Sequence, residues 1–237
     1  MSHLAHNVEV IRQNIANAAK AAGRSVQEIT LLAATKTRDA QTVREVIAAG
    51  VTTVGENRVQ EMTEKLAQAA YFGASLHFIG QLQTNKVKQV AGRVELIHSV
   101  DSLRLAAEID KAANRLCEQD KFTPAQDVLV EVNIAGEHSK GGIEPPALPA
   151  FLEQLAGFAH LRVRGLMCIP PPAQTPDEAR RYFAAMKNLF DRNVGLLDAS
   201  GVPILSMGMS DDYEQAVLEG ATLVRVGTAL FGPRIYT

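Results

Sequence analysis

Short apolar runs alternate with longer amphipathic stretches along most of the chain. Before the first run, Leu4, Val8, Ile11 and Ile15 recur at helical spacing and Gly23 follows, which predicts an N-terminal helix that ends in a glycine cap. From residue 29 onward, eight runs rich in β-branched and aliphatic residues predict strands. These runs are ITLLAAT (29–35), TTVG (52–55), LHFIG (76–80), VELIHSV (94–100), DVLVEVNI (127–134), RVRGLMCI (162–169), PILSMG (203–208) and TLVRVG (222–227).

Eight β/α units in 237 residues favour an α/β fold, a single (β/α)8 TIM barrel with an additional N-terminal helix, and one domain over residues 1–237. The alternative is a doubly wound sheet, which would usually carry a glycine-rich nucleotide loop after its first strand. The segment TKTRDA at 35–40 has no glycine. The most loop-like segment, GEHSKGGIEPPALP at 136–149, is compatible with a mobile flap or with a simple connection.

Composition narrows the function classes. A formal net charge of -2 gives no basic surplus for phosphate backbones, so nucleic-acid binding is not expected. Cys117 and Cys168 lack the spacing of a disulfide framework or a zinc site, which is typical of a protein from a reducing compartment. Neither a signal peptide nor an apolar run of membrane-spanning length occurs. We expect a soluble, cytoplasmic protein with no metal site.

Lys36 ends the first apolar run, and the active site of a TIM barrel lies at the carboxyl ends of its strands. A lone lysine there can simply extend its ammonium group into solvent. It can also form an imine with a carbonyl compound when partial burial favours the neutral amine. Position alone leaves both interpretations open.

The loops after the seventh and eighth runs are rich in small residues. Gly208, Ser210 and Asp211 follow the seventh run at the expected start of a helix, and Gly227 and Thr228 follow the eighth. Backbone N–H groups after these two strands commonly bind phosphate in this fold. The alternative is that these residues serve only as helix caps and turn residues.

A lysine on the first strand and a phosphate site on the last two would together suit pyridoxal 5'-phosphate (PLP), which carries an aldehyde and a phosphate on one ring. Arg225, two residues before Gly227, would face the ring between them, although a salt bridge at the barrel rim is equally compatible with its position. Asn57 follows the second run and can contact a ligand or cap a helix. His77 lies inside the third run and is expected to be a packed histidine, whereas Asn85 and Lys86 can line the mouth or begin a helix.

Seven motifs occur in order across essentially the whole chain: LLAATKT, GENRVQE, HFIGQLQTNK, VNIAGEHSKGG, RGLMCIP, LSMGMSDD and VRVGTALFG. With these motifs the chain resembles the pyridoxal phosphate homeostasis protein family, whose fold is that of the alanine racemase barrel domain. The resemblance implies PLP as the cofactor, held as an imine by Lys36, with Arg225 facing the pyridine nitrogen. The other residues that it implies in the cofactor site are Ser210, Gly227 and Thr228 at the phosphate and Asn57 in the pocket. Gln81 departs from the small residue or proline that many members carry, which leaves the shape of that loop open.

The resemblance also implies a function without catalytic residues. Alanine racemases add a C-terminal β domain that supplies a tyrosine as the second acid/base group, and this sequence ends at residue 237, directly after the eighth unit. Its tyrosines are Tyr71, Tyr182, Tyr213 and Tyr236, and none is an obvious replacement. We therefore expect a monomeric PLP carrier in PLP homeostasis that supplies apo-enzymes. The alternatives are an amino-acid racemase or other small PLP-dependent enzyme, and a Schiff-base aldolase, which the resemblance disfavours.

Overall fold

The computed structural model describes residues 3–119, 125–137 and 141–233. Eight parallel strands form a closed barrel in which each strand pairs with the next and β8 pairs with β1. The strands are β1 Thr30–Ala34, β2 Thr53–Glu56, β3 Ser75–Phe78, β4 Leu96–Val100, β5 Gln126–Glu131, β6 Leu161–Met167, β7 Ile204–Ser206 and β8 Leu223–Val226. Each predicted run overlaps one of these strands, so the predicted TIM barrel is confirmed.

Helices connect the strands on the outside of the barrel. They are α1 His3–Ala21, α2 Ala40–Ala48, α3 Val59–Ala67, α4 Leu103–Cys117, α5 Leu148–Leu155, α6 Pro176–Asn193, α7 Tyr213–Leu218 and α8 Thr228–Phe231. A 3-10 helix, Thr84–Gln89, takes the place of an α-helix between β3 and β4. None of the helices in the described ranges is long and apolar enough to cross a membrane.

The predicted N-terminal helix is confirmed as α1. Its residues Val8, Ile11 and Ile15 are buried, and the helix lies against α7 and α8. Gly23 follows with a φ of +67°, a left-handed conformation that glycine adopts without steric cost. Helix α1 therefore covers the outer side of the last two β/α units, which carry the predicted phosphate loops.

Side chains alternate between the two faces of the barrel wall, as the period of a strand requires. The inner face carries two apolar clusters, Leu32, Ala34, Ile79 and Leu223 in one and Leu96, Leu129 and Met167 in the other, with Ile204 packed against both. The outward-facing residues of the same strands join the larger core beneath the helices. In β8, Arg225 follows Leu223 by two positions and thus faces the inside of the barrel.

Two local predictions need correction. Helix α7 begins at Tyr213 and not at Ser210 and Asp211, because the Asp212 carboxylate accepts a 2.6 Å hydrogen bond from the Met209 N–H and closes a turn before the helix. The segment 136–149 is a connection only in its first part, since a 3-10 helix occupies Pro145–Ala147 and α5 begins at Leu148. Residues 138–140 of this segment lie outside the described residues, so the flap interpretation is not tested.

Candidate functional site

The strand order brings the predicted site residues to one end of the barrel. Strand β1 pairs with β8 so that Ala33 lies opposite Val226, which places the β1 end and Lys36 beside Gly227. Strand β7 flanks β8 on its other side, and the loop after it carries Ser210. The carboxyl ends of β7, β8 and β1 therefore form one continuous mouth region.

A group of backbone donors converges between β7 and β8. The N–H groups of Gly227 and Ala229 each donate a 3.1 Å hydrogen bond to Ser210 Oγ. Thr228 lies between them and is exposed. Two N–H groups that meet at one oxygen form a cradle of the kind that binds a phosphate oxygen.

The packing of the chain does not itself require glycine at 227. The φ of Gly227 is −119°, which other residues adopt, and a Cβ there would meet nothing nearer than Ala34 at 3.5 Å. Gly208, by contrast, has a φ of +89°, and a Cβ there would lie 2.4 Å from that of Ala216. The space beside Gly227 is thus available to a ligand that approaches the backbone.

Arg225 is a buried cation without a carboxylate partner among the described residues. Its Nη1 donates to Ser206 Oγ at 2.6 Å and its Nη2 donates to the carbonyl oxygen of Cys168 at 2.9 Å. Burial lowers the pKa of Arg225, and nearby Cys168, Glu131 and Asp212 partly offset this effect. An arginine remains protonated under such conditions, so the group supplies positive charge and hydrogen-bond donors inside the barrel.

The backbone on both sides of Lys36, which is half-buried, is held by side chains of the second β/α unit. Lys65 Nζ donates a 2.8 Å hydrogen bond to the carbonyl oxygen of Thr35, directly before Lys36. The N–H of Thr37, directly after it, donates at 2.7 Å to Glu61 Oε2. Thr37 has a φ of +63°, which is unusual for a β-branched residue and costs backbone energy. The turn that carries Lys36 is therefore fixed at both ends.

A buried polar cluster behind this turn was missed by the sequence reasoning. Glu56 Oε1 accepts hydrogen bonds from Thr35 Oγ1 at 2.5 Å, Lys65 Nζ at 2.6 Å and Tyr71 Oη at 3.0 Å. Burial and the Glu56 carboxylate raise the pKa of Tyr71, so its phenol stays protonated and donates. The sequence signal for this cluster was Glu56, a glutamate that directly follows the apolar run TTVG and belongs to the GENRVQE motif.

A cavity of about 340 Å³ opens at the mouth on the side of β2, β3 and β5. Asn57 lines it, and its side-chain oxygen Oδ1 is buried without a hydrogen-bond partner. Gln81 and Glu131 also line it. Burial and the charge of Asp101 raise the pKa of Glu131, whereas Arg225 lowers it. A buried polar oxygen without a partner marks a position where a ligand donor would be stabilised.

Other candidate residues do not line this cavity. Asn85 and Lys86 are exposed and lie in the first turn of the 3-10 helix Thr84–Gln89. Of the two alternatives for these residues, the structure thus agrees with the start of a helix. His77 is packed inside the barrel, as expected.

The tyrosines have separate positions. Tyr71 lies in the buried cluster behind Lys36, Tyr182 belongs to α6, and the Tyr213 hydroxyl accepts a hydrogen bond from Asn14 of α1. None of these three tyrosines lines the mouth cavity. Tyr236 lies outside the described residues.

Comparisons with known proteins find relatives that match essentially the whole length of the chain. The family model "Alanine racemase, N-terminal domain" matches residues 2–234. A pyridoxal phosphate homeostasis protein of Aquifex aeolicus is 44% identical over 95% of this chain and 96% of its own length. A protein of the same name from Pseudomonas aeruginosa is 43% identical over 100% of this chain and 98% of its own length. The chain belongs to the pyridoxal phosphate homeostasis protein family.

Several solved structures have the same barrel fold. The protein PipY of Synechococcus elongatus, solved with PLP bound, is 34% identical with a TM-score of 0.78, and the alignment covers 92% of this chain and 100% of that one. A crystal structure of an unknown protein from Bifidobacterium adolescentis is 36% identical with a TM-score of 0.83, over 96% of this chain and 94% of that one. An alanine racemase of Corynebacterium glutamicum is 16% identical with a TM-score of 0.66, over 95% of this chain and 62% of that one, and shares the fold alone.

Proposed function

We propose that this chain binds PLP as an imine of Lys36 and acts in intracellular PLP homeostasis as a carrier that supplies apo-enzymes. The observation that carries the proposal is the cradle formed by the N–H groups of Gly227 and Ala229, which lies beside the end of β1 that leads to Lys36. A lysine and an anion cradle at adjacent strand ends suit a ligand with an aldehyde and a phosphate. The PLP-bound structure of PipY, a relative, supports this choice of ligand.

The residues around the cradle fit the remaining parts of PLP. Ser210, Gly227 and Thr228 would hold the phosphate, and Arg225 would donate to the pyridine nitrogen. Asn57, whose side-chain oxygen is buried without a partner, would serve as a pocket residue. The neutral amine of Lys36 would add to the aldehyde with loss of one water and form an imine. Hydrolysis of this imine would release the PLP again.

The environment of Arg225 supports a carrier over an enzyme. A cation that donates to the pyridine nitrogen keeps this nitrogen unprotonated, and bound PLP then withdraws electrons from a substrate less effectively. No described carboxylate forms an ion pair with Arg225 that would reverse this effect. The protein is therefore proposed to store and release the cofactor and to have no catalytic residues.

The second candidate is an amino-acid racemase or another small PLP-dependent enzyme. Its supporting observation is the barrel shared with alanine racemases. Two-base racemisation needs acid/base groups on opposite faces of the substrate carbon, and no described tyrosine lines the mouth cavity to supply the second one. We therefore place this function behind the carrier.

We further propose that residues 1–237 form one PLP-binding barrel domain and that the protein is a cytoplasmic monomer. Apo-forms of PLP-dependent enzymes are its proposed partners. Size-exclusion chromatography with light scattering tests the oligomeric state, and transfer of PLP from the loaded protein to an apo-enzyme tests the partners.

The experiment for the function combines loading with a proton-exchange assay. The purified protein is loaded with PLP, and the imine is confirmed by its absorbance, with Lys36→Ala as the control. Exchange of amino-acid α-protons in heavy water is then followed by NMR. We expect loading that requires Lys36 and no exchange at enzymatic rates. Lys36-dependent exchange on the order of 1 per second or faster would establish an enzyme instead.

A further inference from the structure

A line of polar side chains crosses the inner face of the barrel below Arg225. Ser206 Oγ, which accepts from Arg225 at 2.6 Å, lies 3.2 Å from His98 Nδ1. His98 Nε2 lies 3.0 Å from His77 Nδ1, and His77 Nε2 lies 3.0 Å from Ser75 Oγ. The inner face of a TIM barrel is usually filled by aliphatic layers, so a continuous polar line is a departure from this packing.

The far end of the line lies at the opposite end of the barrel. Ser75 begins β3, and its hydroxyl donates a 2.7 Å hydrogen bond to Glu95 Oε2, on the residue before β4. Glu95 is exposed. The line therefore runs from a buried guanidinium at the mouth to a carboxylate at the amino-terminal end of the strands.

The two ends allow only one direction of hydrogen bonding. Arginine has donors and no acceptor, and an ionised carboxylate has acceptors and no donor. Ser75 has one hydroxyl proton, which it gives to Glu95, so it must accept from His77 Nε2. His77 Nδ1 is then an acceptor, which requires a proton on His98 Nε2. The Ser206 hydroxyl in turn donates to His98 Nδ1 and accepts from Arg225.

This order requires both histidines to be neutral. Burial lowers the pKa of His77 to about 4. Burial is the main cause that lowers the pKa of His98 well below its usual value, and the proximity of His77 and of the Arg225 cation adds to this effect. Every ring nitrogen of the pair therefore has one assigned role, and no buried polar atom of the line is left without a partner.

We propose that His98 and His77 are positioning residues for Arg225: their one-directional hydrogen-bond line orients the Ser206 hydroxyl so that it holds the guanidinium in the place where it meets the ligand ring. This inference rests on the proposed function for the ring contact of Arg225. The hydroxyl of Ser206 could otherwise turn its proton toward the arginine side, and the only other acceptor of Arg225 among the described residues is the Cys168 carbonyl. In other proteins a paired carboxylate often orients a buried arginine. Here the hydrogen-bond line takes that role for the guanidinium of Arg225.

The first test needs no PLP. NMR of the protein labelled with ¹⁵N-histidine distinguishes the protonated nitrogen of each neutral imidazole. We expect the proton on Nε2 of both His77 and His98 at neutral pH. We also expect slow rotation of the Arg225 guanidinium, which becomes fast in His98→Leu. A proton on Nδ1 of His98, or unchanged rotation in His98→Leu, would overturn the proposal.

The second test uses PLP and a matched pair of core variants. Leu96 lies two residues before His98 on the same inner face and opposite His77 in the pairing of β3 with β4. Its side chain has no hydrogen-bonding atom, so Leu96→Ala loosens the core beside the line and leaves every polar atom of the line in place. We expect His98→Leu to weaken PLP binding about tenfold or more and to shift the absorbance of bound PLP, with Leu96→Ala within about twofold of wild type in affinity. His98→Gln, which can both accept and donate, should recover most of the affinity.

The outcomes separate this proposal from the proposed function. If His98→Leu and Leu96→Ala have equal affinity and spectra, the line serves stability alone and the positioning role is wrong. If wild-type protein does not bind PLP, the proposed function fails, and the guanidinium rotation in the PLP-free protein still decides whether the histidines position Arg225.

Discussion

We predict that Gly227→Ala weakens the binding of PLP and leaves the stability of the fold nearly unchanged. The added Cβ would lie 3.5 Å from Ala34, an ordinary contact, and the φ of −119° suits alanine. We expect the free energy of unfolding to change by less than about 1 kcal/mol, because strain is absent and alanine restricts the unfolded chain. The methyl group would, however, occupy the space through which a phosphate reaches the N–H groups of Gly227 and Ala229.

The expected loss of affinity follows from these donors. A hydrogen bond to a charged group contributes about 1.5 to 3 kcal/mol, so the loss of one such bond weakens binding about 10-fold to 150-fold. Titration with PLP, followed by the absorbance of the imine, measures this loss. Pyridoxal, which has the aldehyde and no phosphate, should bind wild type and Gly227→Ala equally.

Gly208→Ala is the matched control for stability. Its φ of +89° and a Cβ only 2.4 Å from that of Ala216 mean that the chain itself requires this glycine. We expect urea denaturation to show a loss of about 1 to 3 kcal/mol from backbone strain alone. The reasoning is refuted if Gly227→Ala lowers the affinities for PLP and pyridoxal by the same factor, or changes neither.

Two further predictions concern buried polar groups. Lys65→Met should lower the free energy of unfolding by about 3 to 5 kcal/mol, because it leaves the Glu56 carboxylate buried without its cation. Lys187→Met is the control: it removes an exposed ion pair and should lower the free energy of unfolding by less than about 1 kcal/mol. Equal losses in urea denaturation would contradict this. Burial lowers the pKa of His77 to about 4 from 6.5, so its stabilising contribution is complete above pH 6.5 and is lost as the pH falls toward 4. His77 should contribute a loss of about 2 kcal/mol between pH 7 and pH 5, and the pH dependence should be shallower in His77→Gln; identical slopes would show that His77 does not titrate in this way.

The fold could be predicted because each strand of the barrel is buried on both faces and appears as an apolar run. Boundaries were less certain where a side chain controls the local turn. Helix α7 begins at Tyr213 and not at Ser210, because the Asp212 carboxylate accepts a hydrogen bond from the Met209 N–H. The pattern of apolar and polar residues does not indicate such a side-chain contact. The 3-10 helix after β3 likewise replaces a predicted α-helical connection.

The sequence predicted which candidate residues follow the strand ends, and it did not predict the side chains that hold them in place. Lys36 and Gly227 follow strand ends, so the strand order alone brings them together. The contact between Glu56 and Lys65 joins β2 to α3, and its partners are not adjacent in any sequence pattern. His98 stood within a run that was identified only as a strand. Its alternation with Leu96 assigns it to the inner face once the barrel is known, but its neighbours come from other strands.

Reduction of the PLP-loaded protein with borohydride, followed by peptide mass spectrometry, tests the central claim most directly. Reduction makes an imine permanent, so the modified lysine can be identified. We expect one pyridoxyl phosphate adduct per chain on Lys36, and none at the equivalent peptide of Lys36→Ala. An adduct spread over exposed lysines, or no adduct in wild-type protein that has been saturated with PLP, would contradict the account.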